Sequence, residues 1–197
     1  MTKNKFGLVY KNAIEDNVPG KVNLHIVYYK NFFGITIAAN LYTPANFDAT
    51  KKYPAVIAAH PNGGVKEQVV GLFAQGLAEN GYVTIAYDAA YQGASEGNPR
   101  QTDFPAFRVE DINATVDYLN RLDYVDDDRI GIVGICGGGG YTIQAAKTNK
   151  NLKAVATISA FNSGRVRRNG FKDADEANIQ KRLADASAAR RKYAKTG

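Results

Sequence analysis

The chain has 197 residues, 45% of them hydrophobic, and a formal charge of +6. That is enough for one domain with a substantial core, and the composition excludes a disordered or fibrous protein. No apolar run reaches the ~18 residues of a membrane span, and the N-terminal MTKNKFGLVYKNAIEDN lacks the apolar stretch of a secretory signal.

Val22–Tyr29 and Gly34–Tyr42 are rich in β-formers and separated by a short turn, so they read as an antiparallel hairpin. Tyr53–Ala59 (YPAVIAA) is an unbroken apolar run, as expected of a strand buried on both faces. The loop His60-Pro61-Asn62-Gly63-Gly64 follows, and Val65, Val69, Leu72, Phe73 and Leu77 then fall on one face of a helix closed by Asn80-Gly81. Tyr82–Tyr87 is a second buried strand, ending at Asp88. Ala89–Pro105 has the Gly, Ser, Asn and Pro content of a loop. Val109, Ile112, Val116, Leu119 and Leu122 mark another helix, and Asp126–Asp128 a polar turn. Arg129–Ile135 is a buried strand, Cys136 and four glycines open a helix reaching about Asn149, and Leu152–Ile158 is a further strand. A hairpin followed by β-α-β-α-β-α-β predicts an α/β fold. Its sheet is mostly parallel, with an N-terminal antiparallel hairpin and helices on both faces.

Gly134-Ile135-Cys136-Gly137-Gly138 has the form G-x-C-x-G. This is the pattern of a nucleophile elbow, a tight strand-to-helix turn, with Cys in the place of Ser. Side chains two positions before and after the nucleophile would collide with the adjoining strand and helix, and Gly134 and Gly138 remove them. The sulfur would stand at a helix N-terminus, where the dipole favours an anion. The competing readings are a merely packed cysteine and a dinucleotide turn. The second lacks a ribose-binding acid about 20 residues on, where position 156 is Ala. Acyl chemistry needs N–H donors for a developing oxyanion. The backbone amide of Gly137 is one candidate, and the loop after the third strand offers Asn62, or alternatively Gly63, for the other.

HPNGGVKEQ (60–68), YDAAYQGASEGNPRQ (87–101), VDYLNRLDYVDDDRIGIVGICGGGGY (116–141) and AVATISA (154–160) together resemble the α/β-hydrolase superfamily. The nearest branch is that of bacterial proteins related to dienelactone hydrolase and acyl-peptidase-like hydrolases. The resemblance implies ester, lactone or amide hydrolysis of a small molecule through an acyl-enzyme, with Cys136 as nucleophile in the manner of dienelactone hydrolases. It also implies an acid and then a histidine, each after a later strand. This sequence shows neither strand, so it reads as a hydrolase core lacking the last two strands.

The two histidines, His25 and His60, both precede Cys136. His25 reads as a sheet-face residue, and His60 as structural or as a substitute base. Asp88 reads as the anchor of the loop after it and Glu110 as a helix-surface residue, rather than as triad acids. Residues 1–164 hold 15 Lys/Arg and 15 Asp/Glu, whereas 165–197 hold 10 and 4. The expected domains are therefore a hydrolase core over 1–164 and a basic helical tail over 165–197 resembling the start of a cap insertion. The tail reads as a solvated helix face, so neither nucleic acid nor membrane is an expected partner. With Leu152–Ile158 at an open sheet edge, self-association is expected there. One cysteine and no secretory signal fit the cytoplasm, and no metal or organic cofactor is expected. A catalytically inactive, truncated remnant and an interaction module acting through the tail remain open alternatives.

Overall fold

The computed structural model describes residues 10–174 and 176–197. They fall into two compact units, Met1–Ala160 and Phe161–Gly197. The first unit is built on one six-stranded sheet: β1 (Asn23–Lys30), β2 (Thr36–Thr43), β3 (Tyr53–Ala59), β4 (Val83–Tyr87), β5 (Val125–Ile135) and β6 (Leu152–Ile158). The strand order is β1-β2-β4-β3-β5-β6. Strands β4, β3, β5 and β6 run parallel, while β2 runs antiparallel to both β1 and β4. The predicted hairpin is present with an unbroken register from Asn23↔Thr43 to Lys30↔Thr36.

Alternation along the strands divides the core between two faces. Ile57, Ile85 and Ile132 pack with Ile112, Val116 and Leu119 of α2 (Pro105–Leu119) and with Tyr141 and Ala145 of α3 (Gly137–Ala146). Ala58, Ala86 and Val133, the next residues along, pack with Val70, Ala74 and Ala78 of α1 (Val69–Glu79). Burial of a side chain such as Ile57 or Ile85 contributes about 1.5–3 kcal/mol, and both have no accessible surface. At the sheet edges the burial differs: all of β6 after Leu152 is exposed.

Several boundaries differ from the sequence reading, those of β5 and α1 among them. Strand β5 starts at Val125, with Asp126–Asp128 inside it, because Tyr53↔Val125 and Ala55↔Ile130 are separated by an irregularity in the ladder. That irregularity is closed locally, with Asp126 accepting from the Asp128 amide at 3.1 Å and from Arg129 Nε at 2.6 Å. Helix α1 begins at Val69 rather than Val65, since the Val65 amide donates to the Gln68 side chain in a preceding turn. In the second unit the expected helical tail opens on α4 (Ser163–Asn169). The Asn162 side chain caps it by accepting from Arg165 N at 2.9 Å. Helix α5 spans Ile179–Thr196 and, like α4, buries no residue.

The registers Ala58↔Ala86, Ala59↔Gly134 and Ala39↔Tyr87 bring the end of β3, the end of β4, the end of β5 and the β1–β2 turn to one rim of the sheet. Every segment singled out for chemistry leaves the sheet at that rim.

Candidate active site

At the end of β5 the chain reverses into α3 within a single residue. Cys136 takes φ 57°, ψ −121°, a left-handed-side conformation that costs a side-chain-bearing residue roughly 1–3 kcal/mol and persists only where its surroundings impose it. Here its N–H donates to Ile158 O of β6 at 2.9 Å, and its carbonyl accepts from Gly139 N at 3.0 Å. The two flanking glycines are needed for contact. A Cβ on Gly134 would lie 2.4 Å from Thr142 Oγ1 and 2.7 Å from Gly138 O, and one on Gly138 would lie 2.4 Å from Ala59 O and 2.5 Å from His60 O. Helix α3 is thereby pressed against the end of β3, and Cys136 is left partly exposed at its tip.

The loop 60–64 faces this turn. A Cβ on Gly137 would fall 1.4 Å from Asn62 Oδ1, so the Asn62 side chain occupies the space that any larger residue at 137 would take. Among the described residues nothing accepts a hydrogen bond from the backbone N–H of Asn62, Gly63 or Gly137. Orphan amides of this kind need a partner that is not part of the fold. Gly63 is exposed at φ 70°, whereas Asn62 is half-buried.

His60 does not fit the role of substitute base. Its ring has no accessible surface. Nδ1 donates to Pro61 O at 2.6 Å and Nε2 accepts from Ala89 N at 3.0 Å, so neither nitrogen is left for a thiol. Burial, with the Arg108 guanidinium nearby, holds its pKa well below the ordinary histidine value, and the ring is neutral. Its function is to fix the end of β3 to the end of β4. His25 lies exposed on β1, its Nε2 3.3 Å from Thr43 Oγ1 across the hairpin.

Asp88 anchors its loop. Its carboxylate accepts from Ala94 N and from Lys66 N, each at 2.7 Å, and from Lys66 Nζ at 2.9 Å. Lys66 also reaches Glu67 at 2.6 Å. Burial opposes the lysine charge, but the two carboxylates outweigh it and raise its pKa. Glu110 accepts from the Phe32 amide at 3.0 Å and so ties α2 to the β1–β2 turn.

The structure adds three residues that sequence reasoning passed over. Asp103, 20% exposed, accepts from Asn62 Nδ2 and from the Tyr141 hydroxyl at 3.2 Å, and pairs with Arg108 Nη1 at 3.3 Å. Arg108 is 1% exposed, donates to His60 O at 2.7 Å, and lies 4.9 Å over the Tyr141 ring. One signal was available: Arg108, Ile112, Thr115 and Leu119 share a helix face, which puts a cation in an apolar stripe. Among the described residues no three His, Cys, Asp or Glu side chains gather as a metal would require, and no helix is long and apolar enough to cross a membrane.

Residues 37–182 match the model of the dienelactone hydrolase family. YcjY of Escherichia coli K12 is 52% identical over 139 residues, which take in 71% of this chain and 45% of YcjY. The quorum-quenching protein AidA of Acinetobacter baumannii is 32% identical over 149 residues, covering 76% of this chain and 47% of AidA. The crystal structure of PA2218 from Pseudomonas aeruginosa superposes with a TM-score of 0.86 at 39% identity, over 92% of this chain and 57% of PA2218. The chain thus spans about half the length of the relatives it matches.

Proposed function

The chain belongs to the dienelactone hydrolase family, and from that premise we propose that it carries the nucleophile half of a hydrolase site acting on an ester, lactone or amide. The observation that carries this reading is Cys136 held at φ 57° at the tip of the β5–α3 turn, opposite unpartnered amides. The Cys136 thiolate attacks the substrate carbonyl carbon. An S–C bond forms and the carbonyl π pair moves onto oxygen, where the Gly137 N–H and the Asn62 N–H (or the neighbouring Gly63 N–H) receive it. The pair returns as the bond to the leaving oxygen or nitrogen breaks and that atom takes a proton from solvent, and water later cleaves the thioester to free acid and thiol. Neither histidine of this chain serves as the base. His60 is locked, and His25 lies on β1, at the opposite edge of the sheet from β6. A thiol needs less activation than a hydroxyl, so acylation by an activated ester proceeds without that base. The chemistry requires a reduced thiol, which favours the cytoplasm as its setting.

The test is intact-mass analysis after mixing with p-nitrophenyl acetate. An acetyl adduct on Cys136, absent in Cys136→Ala, is expected. No adduct at any pH between about 6 and 9, with the thiol still labelled by iodoacetamide, refutes acyl transfer and favours the inactive-remnant reading.

The exposed β6 edge, with Val155 45% and Ile158 38% exposed, supports self-association through strand pairing with a second copy. Sedimentation across a concentration series reads this directly. A monomer at every concentration removes it.

A further inference from the structure

Three elements around the nucleophile converge on the Asp103 carboxylate: Asn62 Nδ2 from the loop 60–64, the Tyr141 hydroxyl from α3, and Arg108 Nη1 from α2. Arg108 then closes a second path to the same loop through His60 O at 2.7 Å. The Asn62 side chain, held from its Nδ2 end, has its Oδ1 buried, without a hydrogen-bond partner, and packed where Gly137 lacks a side chain. A buried amide oxygen left unpaired costs about 1–3 kcal/mol, so other bonds must keep it there, and the bond to Asp103 is the one the structure supplies.

Asp103 is itself well founded. It lies near the end of the loop 89–104, in which Arg100 donates to Ser95 O, Gly97 O and Gly93 O. In the same loop Gln101 N donates to Tyr91 O at 2.8 Å, and Gln92 Nε2 to Thr102 O at 3.0 Å. A carboxylate near a developing oxyanion is unfavourable as a bare charge. Arg108, beneath it and nearly inaccessible, offsets that charge. The arrangement therefore suits alignment rather than electrostatic assistance.

We propose that Asp103 is the positioning residue of the oxyanion site: it fixes the loop 60–64 to α3 and so sets the spacing between the Asn62 and Gly137 amides. This rests on the acyl-enzyme reading above. Donors displaced by about 1 Å lose on the order of a hundredfold in rate, and removal of one donor loses a similar amount.

The experiment compares two reactions at the same sulfur. Acylation by p-nitrophenyl acetate passes through an oxyanion, whereas alkylation by iodoacetamide does not. In Asp103→Ala the acylation rate constant falls about 10- to 100-fold, while alkylation stays within about twofold of wild type. Asp103→Asn, which keeps an acceptor for Tyr141, falls less. A third measurement does not depend on acylation. The Gly64 amide, bonded to Pro61 O at 3.0 Å, exchanges with deuterium about tenfold faster in Asp103→Ala, while amides of β4 are unchanged. Acylation within threefold of wild type, equal loss of both reactions, or unchanged Gly64 exchange overturns the assignment. If the wild type itself forms no adduct, the acyl-enzyme reading fails by itself, and Gly64 exchange still decides whether Asp103 orders the loop.

Discussion

The substitution Gly138→Ala tests the central geometric claim with a single carbon atom. Its Cβ would stand 2.4 Å from Ala59 O and 2.5 Å from His60 O, distances that real Cβ atoms do not show. Both obstacles are backbone atoms at the end of β3, so no side-chain rotation relieves them. To restore an ordinary contact, the start of α3 must move from β3 by about 1 Å, and overpacking of this kind costs about 1–3 kcal/mol. The movement separates Gly137 on α3 from Asn62 on the loop that leaves β3, so acylation by p-nitrophenyl acetate falls on the order of a hundredfold. Iodoacetamide alkylation, which needs only the thiol, changes little. Stopped-flow release of p-nitrophenol gives the first rate, mass-resolved labelling the second, and urea denaturation the stability. Gly76→Ala is the matched control: nothing lies within 4 Å of its Cβ position in α1, and it stabilises by about 0.5–1 kcal/mol through helix propensity. A Gly138→Ala protein that acylates within threefold of wild type refutes the claim that α3 packing against β3 sets the site.

The contribution of His60 to stability falls as pH drops below about 6.5, because the ring is held neutral in the fold while the unfolded chain binds the proton; its slope is up to about 1.4 kcal/mol per pH unit, and burial is its main cause. Asp111 works in the opposite direction. Burial raises its pKa to about 6, so the fold gains stability as pH falls through that value, and urea midpoints from pH 4 to 8 for wild type and His60→Ala separate the two. Lys66→Met strands the fully buried Asp88 carboxylate and costs about 3–5 kcal/mol, as thermal melts would show. Val155→Lys, on the exposed edge strand, shifts any concentration-dependent sedimentation toward monomer.

Local chemistry made the elbow legible. Collision at two residues either side of Cys136 is a property of the turn itself, and Gly134 and Gly138 record it in adjacent sequence. Strands β3 and β4 were equally plain, because burial on both faces demands unbroken apolar runs. Asp103 was hidden for the opposite reason. Its partners Asn62 and Tyr141 are 41 and 38 residues away, and a loop residue carries no periodicity to betray its neighbours. The reading of His60 as a spare base failed on the same point, since the ring's partner at Ala89 is 29 residues distant. Strand β5 was cut short in the sequence reading because its first turn of chain is polar. Helix α4 has no apolar stripe in SGRVRRN to mark its bounds and owes its start to the Asn162 cap.

The hydrogen bond from Cys136 N to Ile158 O couples the chemistry to the margin of the sheet. The perch of the sulfur is braced by the outermost strand, the one with the most solvent on its flank. Any polypeptide that zips onto that flank stiffens the brace, and fraying of the flank loosens the thiol. A change at the outer strand thus reaches the turn that carries the sulfur through one hydrogen bond.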